Sequence, residues 1–306
     1  MGLLSDLFGY LLNGLYNVFN NYGIAIILFS IILRIILVPI TISQQKSMKK
    51  TSKIQKETQE LQKKYKNNQE KLNQEIMELY KREKMNPFSG CLSAIIQIVI
   101  ILSVFWLVSQ PLTHMKHVQE LEIYKEYTNK VEENSNKSSY KEIAIINSAE
   151  SDYQQITNTL KNDNMEDRES LEKKKEALEN LRLNMDFIGL DLSKVPTQSL
   201  NDYKVYIIPI LYVISSFISI KMTTNMQNGR VKNSEETDKE QESNELEAMQ
   251  SMNKSMTYMM PIMSVSIALI APLGLALYWL VSNILMIIER LVIQKIMNSK
   301  EEKENA

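Results

Sequence analysis

Apolar and polar residues along this chain are segregated into long blocks that scarcely mix. Five blocks, 22–42, 90–108, 205–222, 256–271 and 274–292, are almost free of charge. Each is close to the roughly 17–25 residues that a helix needs to cross a hydrocarbon core. Soluble core helices rarely keep such lengths uncharged, so the blocks predict five transmembrane helices and an all-α integral membrane protein. Pro272 and Leu273 alone separate the last two blocks, which predicts a tight helical hairpin.

The polar blocks carry helical patterns of their own. In 1–21, Leu4, Phe8, Leu11, Leu15 and Val18 recur at helical spacing with Asn13, Asn17 and Asn20 elsewhere. This predicts an amphipathic helix lying on the outer membrane surface. Asp6 and the lack of an early basic residue argue against a signal peptide. Block 43–89 predicts a helical hairpin turning at Asn67 and Asn68, with Ile54, Leu61 and Tyr65 facing Leu72, Ile76, Leu79 and Tyr80. Twelve basic and six acidic residues between positions 43 and 86 suit it to an anionic lipid surface or to docking. Block 109–204 is acidic in balance. Its stripe of Ile143, Ile146, Ala149, Tyr153, Ile156 and Leu160 continues, after Asn162–Asn164, in Leu171, Leu178, Leu181 and Met185, which predicts a second helical hairpin. Block 223–255 reads as a polar linker and 293–306 as a short mixed-charge tail.

Composition alters this picture little. A net charge of −1 gives no case for nucleic-acid binding through the whole chain. A mean hydropathy of −0.22 would suit a soluble protein, but it averages over the two kinds of block. Cys91 is the single cysteine, so an intramolecular disulfide is excluded. There is no GxxxxGK loop, CxxC or HExxH. His114 and His117, one helical turn apart, lack a third metal ligand close by. No cofactor, no metal and no enzymatic chemistry are expected. Lysine and arginine near the span ends number 17 on one side and 4 on the other, which places the amino terminus outside and the carboxyl tail in the cytoplasm.

One charge interrupts the first span. Arg34 stands in ILRIILVPI, among fourteen Leu, Ile, Phe and Val residues between positions 24 and 42. Those contribute about −4 to −8 kcal/mol to insertion, against about +2.5 to +3.5 for the arginine. The helix still inserts, yet the guanidinium needs acceptors. Glu289 is the one acidic residue in the other four spans, and it falls at the cytoplasmic end beside Arg290. No permanent ion pair is therefore expected. A hydrated cavity lined by neutral groups such as Gln97, Ser282 and Asn283 would receive the cation and attract anionic segments. Met256, Met260 and Met263, on one helical face with Met249, Met252 and Met259, would form a pliable apolar wall. Pro39, Pro209 and Pro261 are expected to kink their helices.

ILRIILVPITISQQKSMKK, MNPFSGCLSAIIQIVIILSVFW and YMMPIMSVSIALIAPLGLALYWLVSNILMIIE resemble, in that order, the YidC/Oxa/Alb membrane protein insertases. DFIGLDLSKVP resembles Gram-positive members. The resemblance covers the five spans and the first hairpin. It implies five helices around a hydrophilic groove that is open to the cytoplasm and to lipid and sealed outside. It implies groove roles for Arg34, Gln97, Tyr278 and Trp279, to which Ser282 and Asn283 are added as neighbours. It also implies newly made membrane proteins as substrates, lipid, the Sec translocon and the targeting machinery or ribosome as partners, and the bacterial plasma membrane as location. Unlike many Gram-positive relatives, the chain has no cysteine near its start and no strongly basic tail, and its outer segment is longer. A transporter or channel holding an anionic solute on Arg34 is the alternative. The lack of internal repeats among the spans speaks against it.

Overall fold

A computed structural model describes residues 2–66, 68–83, 89–134, 140–161, 167–228 and 266–304. The first helix, α1 (Gly2–Phe19), buries Ser5, Gly9, Leu12 and Tyr16. This line is offset by one residue from the predicted stripe. Leu4, Phe8, Leu11 and Leu15 flank it half-buried, and Val18 is 75% exposed. The offset has a steric cause, because α1 meets its neighbours backbone to backbone. A Cβ on Gly9 would lie 1.7 Å from the His114 carbonyl oxygen. The Ser5 hydroxyl donates to the Ser103 carbonyl at 3.0 Å. Small residues permit this approach where the leucines could not.

Asn20 then adopts φ 47°, a left-handed conformation that asparagine tolerates. Asn21 caps the next helix by accepting the Ile24 N–H at 3.0 Å. That helix, α2 (Tyr22–Lys64), runs 43 residues without a break through Pro39 and includes the apolar stretch Tyr22–Gln45. The first block and the first arm of the polar hairpin are thus one rod of about 64 Å. A turn led by Asn68, which accepts the Lys71 N–H, reverses the chain into α3 (Gln69–Arg82). Ile54, Leu72 and Leu79 are buried between the arms, and Arg82 pairs with Glu57 at 2.6 Å.

Helix α4 (Ser89–Ser109) contains the apolar stretch Ile95–Ser109 and packs on α1 and α2. Beyond it come α5 (Pro111–His114), α6 (Glu122–Asn134), α7 (Lys141–Thr159) and α8 (Arg168–Glu179). The predicted two-helix hairpin is therefore part of a larger cap. Its unforeseen member, α6, packs Tyr127 and Val131 on α7 within an otherwise charged sequence. Residues 186–191 form a small antiparallel β hairpin, β1 (Asp186–Phe187) and β2 (Leu190–Asp191), turning at Ile188 and Gly189, both at positive φ.

Helices α9 (Ile207–Asn228) and α10 (Leu273–Glu304) join the bundle; α10 packs on both α2 and α9. Tyr203–Met222 and Leu273–Ile293 are, with Tyr22–Gln45, the three helices of the described residues long and apolar enough to cross a membrane. Of the fourth predicted span, only 266–271 lies within the described residues.

The strand segment ties the bundle together at one end. The Asn184 carbonyl accepts the Tyr22 N–H at 3.0 Å, at the head of α2. The Leu192 and Lys194 carbonyls each accept at 2.9 Å from Gly274 and Leu273, at the head of α10. Orphan donors of two helix N-termini are thereby satisfied by one stretch of chain. Both helices run from this end, so they lie parallel.

Candidate polar site between α2 and α10

Arg34 lies twelve residues along α2, about 18 Å from its head. Ser282 and Glu289 lie nine and sixteen residues along α10, about 14 and 24 Å from the same end. The parallel arrangement therefore brings Arg34 level with the stretch between them. Its Nη1 contacts Glu289 Oε2 at 3.4 Å and its Nη2 donates to the Ser282 carbonyl at 3.2 Å. The side chains are 17% and 9% exposed, respectively. This corrects the expectation that Arg34 has no ion-pair partner. Glu289 sits beside Arg290 in the sequence, but helix α10 continues well past both, and the long arginine side chain reaches it from the neighbouring rod.

The pair is incomplete. Among the described residues, only one oxygen of Glu289 meets the guanidinium, at the long end of hydrogen-bonding distance, and the other oxygen, Oε1, is buried without a hydrogen-bond partner. Removing one partner of a buried pair costs more than the pair contributes, because a charge is left uncompensated.

The remaining expected site residues fall into different settings. Ser282 contributes its backbone carbonyl to Arg34. Asn283 is buried, and its side-chain amide donates to the Ser215 hydroxyl at 3.0 Å and the Ser216 hydroxyl at 3.1 Å, bonding α10 to α9. Tyr278 is buried with its ring centroid 6.5 Å from that of Phe29. Trp279 is half-buried, 6.1 Å from the Tyr212 ring. Gln97 is exposed on α4, one turn from buried Ile100 and two from buried Val104. Met256, Met260 and Met263 lie outside the described residues.

Sequence reasoning passed over Glu289 as a partner, although it was the one acid in an apolar block. It also passed over Phe29, which has no polar signal. The described residues contain no group of three His, Cys, Asp or Glu that could hold a metal ion. His114 instead contacts Asp6 at 2.7 Å, and the His117 ring lies 4.7 Å from that of Tyr10.

Comparison with known proteins adds a family. The model of the 60Kd inner membrane protein family matches residues 14–301. Over 103 residues, 34% of its length, the chain is 41% identical to the membrane protein insertase YidC of Fusobacterium nucleatum, covering 50% of that protein. It is 41% identical over 105 residues to the protein of the same name from Caldanaerobacter subterraneus, covering 51% of it. It is 46% identical over 90 residues to that of Geobacter metallireducens, covering 17%. The aligned part thus spans about half or less of these relatives.

Proposed function

The chain belongs to the 60Kd inner membrane protein family, the YidC/Oxa/Alb insertases, and from that premise we propose that it inserts newly made proteins into a bacterial plasma membrane. It does so without nucleotide or cofactor. The five apolar blocks surround a hydrophilic groove open to the cytoplasm and to lipid, with the amino terminus and the α5–α8 cap outside and α3 inside. The observation that carries this reading is Arg34: a cation at the middle of the Tyr22–Gln45 span, secured only in part.

A substrate's short acidic flank enters from the cytoplasm and is drawn to the guanidinium. Its apolar segment then passes along the helices into lipid. Burial of about twenty apolar residues supplies the driving force, and the polar groove shortens the dry path of the flank. Membrane potential adds about 2.3 kcal/mol per acidic charge per 100 mV. Gln97, exposed on α4, and the Tyr278–Trp279 pair supply polar and aromatic walls. The Sec translocon and the targeting machinery or ribosome deliver or share clients.

The test uses purified protein in liposomes and a single-span client with a short acidic translocated tail. Wild type and Arg34→Lys are expected to protect the tail from external protease, and Arg34→Ala to lose at least tenfold in rate. Equal protection by all three removes the cation from the mechanism. Insertion that begins only when the Sec translocon is added makes the protein an assistant to it.

A further inference from the structure

We propose that Glu289 is a resident stand-in for the client's carboxylate, which must displace it from Arg34; this rests on the groove reading above. Three observations meet here. Among the described residues, Arg34 reaches its acceptors through helix α10: the carboxylate of Glu289 at 3.4 Å and the Ser282 carbonyl at 3.2 Å. Glu289 engages by a single oxygen, while its Oε1 is buried with no hydrogen-bond partner among the described residues. Both side chains retain some exposure, so the pair is reachable.

A guanidinium is best satisfied by a carboxylate that meets it with two parallel N–H···O bonds. The Glu289 contact falls short of that. An incoming Asp or Glu on a mobile segment is free to adopt the two-pronged geometry, so the exchange replaces a half-made pair with a full one. Until then Glu289 offsets the desolvated charge of Arg34. It also imposes a threshold: a neutral flank offers carbonyl acceptors but no compensating charge, and leaves the pair closed. Glu289 is thus a specificity-determining residue for clients with acidic flanks.

Glu289→Gln keeps the side chain's shape and removes the competing charge. In proteoliposomes, two clients are compared that differ only in the translocated tail, one with two aspartates and one with two asparagines. The variant is expected to raise the initial insertion rate of the aspartate client roughly three- to tenfold, the scale of one partly buried ion pair. The asparagine client should stay within twofold. In an Arg34→Ala background the Glu289→Gln gain should vanish.

Glu289→Asp keeps the charge on a shorter arm and should give a smaller gain of the same sign. It also provides the comparison should the Gln variant unfold. If Glu289→Gln slows both clients alike and Asp restores them, Glu289 is a structural counter-ion and the inference is overturned. If neither variant alters the aspartate client while Arg34→Ala still abolishes its insertion, the displacement idea fails and the groove reading stands. If Arg34→Ala inserts normally, it is the groove reading that fails.

Discussion

Burial of the Glu142 carboxylate is tolerable because both of its oxygens are engaged. Oε2 accepts the Leu112 N–H at 2.7 Å and the Thr113 N–H at 3.0 Å, while Oε1 accepts the Thr113 and Tyr124 hydroxyls. Burial pushes its carboxyl up and those hydrogen bonds pull it back. Glu142→Ala would leave the buried Leu112 donor unpaired at a cost of about 1–3 kcal/mol. Hydrogen exchange should then speed up at Leu112 and Thr113 first. Ile188 is a residue with the opposite balance. It is β-branched, holds φ 54° and is 85% exposed at the hairpin tip. Ile188→Asn should stabilise the protein by about 1 kcal/mol in thermal unfolding, because asparagine accepts the left-handed turn. Arg34 was legible in the sequence as a cation in need of acceptors. Its pairing with Glu289 was not, because that depends on how far α10 runs and on the parallel setting of two rods 255 residues apart in the chain.

Helices α6, α7 and α8 are joined by ion pairs as much as by apolar contact. Arg182 grips Glu150 with two bonds, 2.6 and 3.2 Å, and lies 3.5 Å over the Tyr153 ring. Lys130 and the Tyr127 hydroxyl both donate to Asp152, tying α6 to α7. The Arg182 hydrogen bonds hold the Glu150 carboxyl below its ordinary value of 4.5. Its contribution is therefore complete above about pH 4.5 and is lost as pH falls through the lowered value. Arg182→Met should destabilise the cap at pH 7, and the gap from wild type should narrow steadily below pH 4.5 in thermal unfolding followed from a label on α8. The α7 stripe could be read from spacing because apolar residues recur there over five turns. Helix α6 could not, since its buried side of Tyr127 and Val131 is too short to stand out among charges. In α1 the periodicity was visible but its line of deepest burial was not. Hydrophobic spacing marks leucines, whereas the closest contact is made through Ser5 and Gly9.

At the scale of the whole molecule, the segment from Asn184 to Lys194 is a buckle across the heads of α2 and α10. Sequence patterning gave no hint of this, because the bonds are made by backbone carbonyls that any residue could supply. The two rods share a fulcrum at this buckle, and displacement grows with distance from it. A tilt of about 5° of α2 carries Arg34, about 18 Å along, only about 1.6 Å, yet it swings the far end of the same rod by about 5.5 Å. The first movement is enough to break a contact already stretched to 3.4 Å, and the second moves the whole α3 hairpin with it. A push on the hairpin is thereby geared down by more than threefold into a fine adjustment at the cation.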